Sequence, residues 1–256
     1  MNYILDQISV DIILPNYNSH LYIEETLNSI ISQTYQNWNL IIVDDNSDDK
    51  TKSILRKYQS NKKIKFFWLQ ENKGAGFCRN LAISNSNAKY IAFIDSDDIW
   101  EREKLSKQIN FMEKNKYFFT YTNYKPFKHG EKNINLKEIR PANYFIFEKF
   151  IKDTSIATST MVIKRSLVGD IKFTNTKICE DYFFKCEILK KVDKAYCLQE
   201  NLTKYRIVKN SLQSNKLRNF YWIWYINKNY NKLNFFKNLT SLLCISINSI
   251  KKYGFK

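Results

Sequence analysis

Residues 88–100, AKYIAFIDSDDIW, constrain the fold of this chain more than any other stretch. The run from Tyr90 to Ile94 is short, apolar and rich in aromatic and branched side chains. Such a run predicts a strand of a parallel sheet that is buried on both faces. It ends abruptly at Asp95, Asp97 and Asp98, which are three carboxylates within four residues. Because ligands of open α/β sheets bind at the carboxyl ends of the strands, we expect these carboxylates to line a binding crevice.

Two interpretations of this acidic turn stay open at the level of the segment itself. Alternate residues of an extended chain face the same way, so Asp95 and Asp97 can converge on one point. Mg²⁺ or Mn²⁺ would suit that point, because hard cations take oxygen ligands and usually arrive with substrate phosphates. Alternatively, the turn caps a helix that begins near Glu101, since Asp is a favoured N-cap residue.

An apolar run followed by a stretch with helical periodicity occurs four times in the first 115 residues. The strands are predicted at residues 10–15, 40–45, 64–69 and 90–94, and the helices at 21–32, 51–59, 77–84 and 101–115. This alternation predicts an α/β fold with a mostly parallel, doubly wound sheet and helices on both faces. Residues 116–215 predict α+β material at the edge of that sheet. Its strands are predicted at 117–121, 154–164, 195–198 and 202–206, and its helix at 179–191.

The charge balance points to an anionic partner. The chain has 41 basic and 25 acidic residues, a formal net charge of +16. Nucleic acid, a phosphorylated substrate and an acidic membrane surface all fit such a balance. Five scattered cysteines without a CxxC pair and only two histidines argue against a disulfide framework and a histidine-rich metal site. No apolar run has spanning length and the start lacks a signal-peptide pattern, so a reducing, cytoplasmic location is the default expectation.

Residues 216–256 differ in composition from the rest and are predicted to form a separate tail after a domain at residues 1–215. The last 40 residues carry seven basic and no acidic side chains. The apolar side chains that share one helical face are Leu239, Leu243, Ile247 and Ile250, and the lysines that bracket them are Lys237, Lys251 and Lys252. This pattern is typical of peripheral contact with an anionic membrane. The alternative is a pair of C-terminal helices packed on the domain, with lysines that are merely solvated.

Four motifs in order resemble the successive signatures of glycosyltransferase family 2. They are VDIILPNYN at residues 10–18, IIVDDNSDD at 41–49, NKGAGFCRN at 72–80 and IDSDDIW at 94–100. The resemblance continues at residues 180–182 and, more weakly, at 205–206. The resemblance implies a GT-A fold, which is Rossmann-like, with a nucleotide-binding half at about residues 9–115 and an acceptor half at about 116–215. It also implies an inverting, metal-dependent transfer from a nucleotide sugar.

The resemblance assigns the nucleotide side of the site. Tyr17, in the same motif as Pro15, matches the aromatic residue that lies against the nucleotide base. Asp45 matches the carboxylate that accepts a hydrogen bond from the uracil ring N–H, whereas the neighbouring Asp44 is expected to serve the turn. Arg79 matches an arginine near the nucleotide, where its permanent charge suits a phosphate. An ion pair on the helix surface is the alternative for this arginine.

The resemblance also assigns the metal. Asp97 matches the last acidic residue of the DxD motif, a direct ligand of Mn²⁺ or Mg²⁺. Asp95 matches the first, nearer the ribose or metal-bound waters, and Asp98 is expected to be a helix N-cap. The chain departs from many relatives at Val208, where they carry a histidine close to the metal and the diphosphate. A third protein ligand is therefore in question, with Lys209 or Arg206 as alternatives that neutralise the diphosphate.

On the acceptor side, Asp181 matches the catalytic base of the family. An inverting transfer needs a carboxylate that takes the proton of the acceptor hydroxyl while its oxygen attacks C1. Glu180 is expected to hold the acceptor or to cap the helix. Trp100 and Tyr182 are expected near the acceptor as exposed aromatic faces for a sugar.

The resemblance implies transfer of a hexose or N-acetylhexosamine from a UDP-sugar to a hydroxyl of a lipid-linked glycan. The alternative on the same fold is an inactive module that binds a nucleotide sugar or a glycan. A nucleic-acid binder is a third possibility, which the positive charge favours. It is disfavoured because carboxylates at the sheet end would repel a phosphate backbone.

Overall fold

The structure is a computed structural model that describes residues 8–128, 136–176, 178–208 and 215–253. Its strands are β1 (Val10–Asn16), β2 (Trp38–Asp44), β3 (Ile64–Trp68), β4 (Tyr90–Phe93), β5 (Ile99–Trp100), β6 (Phe119–Phe127), β7 (Tyr144–Phe145), β8 (Val162–Lys164) and β9 (Ala195–Arg206). Its α-helices are α1 (Ile23–Ile31), α2 (Asp49–Arg56), α3 (Ala75–Ser84), α4 (Lys104–Asn115), α5 (Phe147–Phe150), α6 (Arg165–Val168), α7 (Glu180–Lys191), α8 (Lys216–Asn229) and α9 (Phe235–Tyr253).

Within the described residues, one nine-stranded sheet has the order β3-β2-β1-β4-β8-β6-β9-β5, with β7 paired to β9. Strands β3, β2, β1 and β4 are all parallel, as the alternating pattern predicted. Strand β8 joins β4 and β6 in the antiparallel sense, so the sheet is mixed in its second half. The predicted α/β fold is thereby confirmed, and the carboxyl ends of the four parallel strands share one edge.

Alternate residues of the central strands feed two separate apolar cores. In β1, Ile13 packs with one core, while Ile12 and Leu14 pack with the other. Both cores are fully buried at these positions, because helices cover each face of the sheet. This explains why β1, β2 and β4 are apolar runs rather than alternating patterns.

Strand β9 is longer than the sequence pattern indicates. Two short strands were predicted, at 195–198 and 202–206, but the chain forms one strand from Ala195 to Arg206. The polar residues at its centre interrupt the apolar pattern, and the pairing with β6 shifts register near Asn123. Backbone pairing with β6 therefore keeps β9 extended through its centre, where the side chains do not show an apolar strand pattern. The strand predicted at 154–164 is in fact a 3₁₀ turn, Thr158–Thr160, followed by β8.

The tail forms a pair of helices, α8 and α9. They pack on the domain through Ile223, Ile226 and Ile245, which are buried. Over the ranges that the structure describes, no helix combines the length and the apolar character needed to cross a bilayer. The division at residues 215 and 216 stays a prediction.

Candidate active site

The turn after β1 and β2 is held together by polar side chains at the sheet edge. Asn16 Nδ2 donates to Asp44 Oδ1 over 2.7 Å, and the Ser47 backbone N–H donates to Asp44 Oδ2 over 3.0 Å. All three side chains are buried. Asp44 therefore closes the turn, as the sequence predicted for it.

Asp45 fixes the loop that leads into α3. Its two carboxylate oxygens accept the backbone N–H groups of Lys73, over 2.7 Å, and Gly74, over 2.8 Å. Gly74 has a φ of +86°, a conformation that favours glycine, and α3 starts immediately after it. Because a carboxylate has about four lone-pair sites, Asp45 keeps capacity for a further donor. The predicted contact with a uracil N–H stays a prediction.

Tyr17 and Pro15 lie in different environments although they share one motif. Tyr17 is 51% exposed, just past the end of β1. Its ring is therefore available to a planar ligand. Pro15 lies inside β1, where it is buried and pairs with Val43 of β2. Its ring is thus part of the sheet, and contact of that ring with a nucleotide is not supported.

Arg79 connects the two halves of the site. It projects from α3 with a side chain that is 6% exposed, so the predicted ion pair exists but is buried. Its Nη2 donates to Asp95 Oδ1 over 2.7 Å, and its Nη1 donates to Glu180 Oε1 over 2.8 Å. Burial would lower the Arg79 pKa, but Asp95 and Glu180 together raise it above its ordinary value. The guanidinium thus bridges the end of β4 and the start of α7.

The acidic turn after β4 places three carboxyl groups close together, which disfavours ionisation of two of them. Burial, together with Asp95, raises the pKa of Asp97 to about 7. Burial and the two neighbouring carboxylates raise the pKa of Asp98 well above its usual range. Asp98 Oδ1 accepts the backbone N–H of Arg206 over 2.8 Å. The expectation of a helix N-cap at Asp98 is wrong, because α4 begins only at Lys104 and Asp98 instead ties the turn to β9.

Arg206 is held inside the protein rather than presented to a ligand. Its Nε donates to the Asp97 carbonyl over 2.6 Å, and its Nη2 pairs with Glu25 Oε2 over 2.5 Å. The guanidinium also lies over the rings of Tyr22 and Phe127. Its side chain is 1% exposed, so a structural contact to the DxD turn accounts for this residue better than a diphosphate. Lys209, the other predicted alternative, lies outside the described residues.

The donor set suits a cation that arrives with a phosphate ligand. In the described part of the chain, no three or more His, Cys, Asp and Glu side chains are arranged to hold a metal ion. Asp95 and Asp97 nevertheless supply hard oxygen donors whose mutual repulsion a divalent cation would relieve. Mg²⁺ is commonly bound by one or two carboxylates plus substrate phosphates. The residues therefore fit Mn²⁺ or Mg²⁺ bound by two carboxylates and the substrate phosphates. Val208 cannot act as a third protein ligand.

Asp181 lies in the first turn of α7 and is held by two neighbours. Its Oδ2 accepts Lys185 Nζ over 2.7 Å and Thr158 Oγ1 over 3.2 Å. Burial raises the Asp181 pKa, but Lys185, with help from Arg79 and Thr158, outweighs that effect and lowers it to about 2. The carboxyl is thus ionised at neutral pH. Sequence reasoning missed Lys185, although its i,i+4 spacing from Asp181 on a predicted helix was a usable signal.

The predicted acceptor contacts need correction. Trp100 is 3% exposed, and its Nε1 donates to the Ser159 carbonyl over 2.8 Å. Tyr182 is 4% exposed, and its hydroxyl donates to Asn227 Oδ1 over 2.7 Å. The expectation of exposed aromatic faces is wrong for both rings, because each is packed in the core and anchored by its polar atom. Glu180 is committed to Arg79, and burial raises its pKa.

Comparison with solved structures agrees with this fold. The S. aureus protein TarS (residues 1–349, in complex with UDP-GlcNAc) superposes with a TM-score of 0.72 at 22% identity, covering 95% of this chain and 73% of that 1–349 chain. The mannosyltransferase PcManGT from Pyrobaculum calidifontis, in complex with GDP-Man and Mn²⁺, gives a TM-score of 0.67 at 15% identity, covering 98% and 78%. At such identities, the likeness shows the fold.

Sequence relatives are closer. TuaG of Bacillus subtilis (strain 168), a glycosyltransferase whose name assigns it provisionally to teichuronic acid biosynthesis, is 34% identical over 95% of this chain and 96% of its own length. The Escherichia coli protein WfgD, a UDP-Glc:α-D-GlcNAc-diphosphoundecaprenol β-1,3-glucosyltransferase, is 34% identical over 86% of this chain and 85% of its own. The sequence model of Glycosyl transferase family 2 matches residues 11–172. The chain is therefore a glycosyltransferase and belongs to glycosyltransferase family 2.

Proposed function

We propose that this enzyme transfers a hexose or N-acetylhexosamine from a UDP-sugar to a hydroxyl of a lipid-linked glycan in bacterial surface polysaccharide synthesis. The observation that carries the proposal is the Arg79 bridge between Asp95, in the acidic turn, and Glu180, next to Asp181. It brings the predicted diphosphate region next to the residue that precedes the predicted base, and the Arg79 charge also helps to lower the Asp181 pKa. WfgD, whose name gives UDP-Glc as donor and a lipid-linked sugar as acceptor, supports the substrate classes.

In the proposed reaction, Asp181 takes the proton of the acceptor hydroxyl while that oxygen attacks C1 of the donor sugar from the face opposite the diphosphate. The C1–oxygen bond to UDP breaks as the new glycosidic bond forms, so the anomeric configuration inverts. Tyr17 lies against the base and Asp45 accepts the uracil N–H. A divalent cation on Asp97 and Asp95 would, when bound, stabilise negative charge on the departing diphosphate.

Because the proposed acceptor is lipid-linked, we expect the enzyme to act at the inner face of the plasma membrane. The outer face of α9 offers an apolar stripe, defined by Phe236, Leu239, Leu243 and Ile247, of which each is at least 41% exposed. Exposed lysines adjoin it along the tail, among them Lys237 and Lys251. Exposed apolar side chains flanked by cations favour binding to an anionic bilayer. Lys252 does not take part, because its Nζ pairs with Asp153.

Release of UDP across a panel of UDP-, GDP- and dTDP-sugars with Mn²⁺ tests the proposed reaction. We expect the wild type to release UDP from one UDP-sugar and Asp181→Asn to lose roughly 10²- to 10⁴-fold in rate, the usual contribution of a general base. Calorimetry should show that Asp181→Asn still binds UDP, whereas Asp97→Ala loses Mn²⁺-dependent UDP binding. Glu187→Gln, a carboxylate change elsewhere on α7, is the matched control and should behave like wild type.

Two results would overturn the proposal. Tight UDP binding without turnover of any donor, even with lipid-linked glycan acceptors added, would favour an inactive binding module. Absence of nucleotide binding would show that a nucleotide sugar is not the donor.

A further inference from the structure

We propose that Lys185 is a positioning residue for the transfer: with Thr158 it holds one oxygen of Asp181, so that the other oxygen is presented, ionised, to the acceptor hydroxyl. The inference rests on the proposed role of Asp181 as the base. It adds a second residue, absent from the family motifs in the sequence, on which the base depends.

The three side chains form a closed triangle. Lys185 Nζ donates to Asp181 Oδ2 over 2.7 Å and to Thr158 Oγ1 over 3.1 Å. Thr158 Oγ1 in turn donates to the same Asp181 Oδ2 over 3.2 Å. Two donors on one carboxylate oxygen fix the rotation of the carboxyl group, which leaves Oδ1 for a proton in transit.

The triangle is anchored on rigid elements. Lys185 and Asp181 are one turn apart on the twelve-residue helix α7, and Thr158 opens the 3₁₀ turn before β8. The Lys185 side chain is 4% exposed, whereas Asp181 is 25% exposed. The ammonium therefore lies behind the carboxylate, on the side away from solvent. A buried ammonium without a partner would be costly, so Lys185 stays on the carboxylate.

The charge of Lys185 is as relevant as its geometry. The groups that face Asp181 are Lys185 and Glu180 on its own helix, Cys179 before it, Thr158, and Arg79 from α3. Burial favours protonation of the Asp181 carboxyl, and Lys185 is the strongest opposing group. Removal of the Lys185 charge should therefore raise the Asp181 pKa towards the range in which the enzyme works. A protonated Asp181 cannot accept the hydroxyl proton.

The test compares wild type, Lys185→Gln and Lys185→Arg by UDP release from UDP-glucose and UDP-N-acetylglucosamine with saturating Mn²⁺, between pH 5 and 9. We expect Lys185→Gln to lose roughly 10- to 100-fold in kcat, as a loosened catalytic group does. The acid limb of its plot of kcat against pH should also move to higher pH. The Kd for UDP, measured by calorimetry, should stay within about twofold of wild type, since Lys185 is not proposed to touch the donor. Lys185→Arg, which keeps the charge, should restore the wild-type pH profile.

Thr158→Val separates orientation from charge. It removes the hydroxyl but leaves the ammonium, so kcat should fall while the acid limb of the pH profile moves less than in Lys185→Gln. Lys190→Gln, which breaks an exposed ion pair on the same helix, is the control for the loss of one lysine. An unchanged kcat and pH profile in Lys185→Gln would overturn the inference while leaving the proposed function intact. Loss of UDP binding together with folding, in both Lys185 variants, would assign the residue a structural role instead. Equal activity of wild type and Asp181→Asn would instead refute the proposed base.

Discussion

Lys104, at the start of α4, is a buried lysine for which the described residues provide no counter-ion. Its side chain is fully buried, and within the described ranges Nζ has no hydrogen-bond partner. The ammonium lies 3.7 Å from the ring centroid of Trp100, a cation–π contact that compensates part of its desolvation. Burial lowers the Lys104 pKa well below its ordinary value. The residue therefore weakens the fold at neutral pH.

Lys104→Met should raise the free energy of unfolding by about 1–3 kcal/mol, the usual cost of an unsatisfied buried donor. The lowered pKa of Lys104 also determines whether stability rises or falls with pH. Below 10.5 the unfolded state binds more protons than the folded state, so wild-type stability should rise with pH towards that value. In Lys104→Met this rise should disappear. Urea unfolding between pH 7 and 10 measures both effects.

Lys107→Met is the control on the same helix, because Lys107 is 38% exposed and should change stability little. A variant Lys104→Met that is less stable than wild type at every pH would show that the contact with Trp100 outweighs the desolvation.

At the scale of elements, Asn227 joins three helices in a buried polar network. It lies in α8 and is fully buried. Its Oδ1 accepts the Tyr182 hydroxyl of α7 over 2.7 Å, and its Nδ2 donates to Asn238 Oδ1 and Ser241 Oγ of α9, each over 3.1 Å. Tyr182 directly follows Asp181. The tail helices are thus tied to the helix that carries the proposed base.

Asn227→Ala should lower the free energy of unfolding by about 1–3 kcal/mol, because it leaves the Tyr182 hydroxyl and its other partners unsatisfied in the core. Equilibrium urea denaturation measures the change. Asn229→Ala, an exposed change two residues further along α8, should stay within about 0.5 kcal/mol of wild type. Equal stability of the two variants would argue that the network contributes nothing beyond packing.

At the scale of the whole molecule, the tail has two different faces. One face packs on the domain through Asn227, Ile226 and Ile245, while the apolar stripe of α9 faces solvent. The two interpretations of the tail are therefore compatible, because packing uses one side of the hairpin and leaves the other free. A contiguous exposed apolar surface of this kind usually marks an interaction site.

The paired change Leu243→Ser and Ile247→Ser should weaken binding to vesicles that contain phosphatidylglycerol by roughly tenfold or more, since each buried aliphatic side chain contributes about 1.5–3 kcal/mol. Co-sedimentation measures the binding. For wild type it should fall as salt is added and be weaker on zwitterionic vesicles. Ile31→Ser, an exposed apolar residue of α1, is the control and should bind like wild type. Equal binding of the paired variant and wild type would refute the membrane-facing stripe.

The sequence by itself determined the parallel half of the sheet, its acidic edge and the family. Buried parallel strands are continuous apolar runs, so β1 to β4 were visible locally. Asp44 was correctly assigned to the turn, because residues that close a turn are near one another in sequence. The position of Asp181 at the start of a helix was likewise predicted, and its role stays a proposal.

Only the tertiary structure decided how distant residues meet. The Arg79–Glu180 pair joins residues 101 apart, and the Arg206–Glu25 pair joins residues 181 apart. Sequence patterns report which side chains prefer burial, but not which element covers them. Trp100 and Tyr182 were therefore predicted to be exposed to a sugar, whereas the packed elements cover both rings. The physical reason is that local propensity fixes single elements, whereas burial and ion pairing arise only when those elements pack.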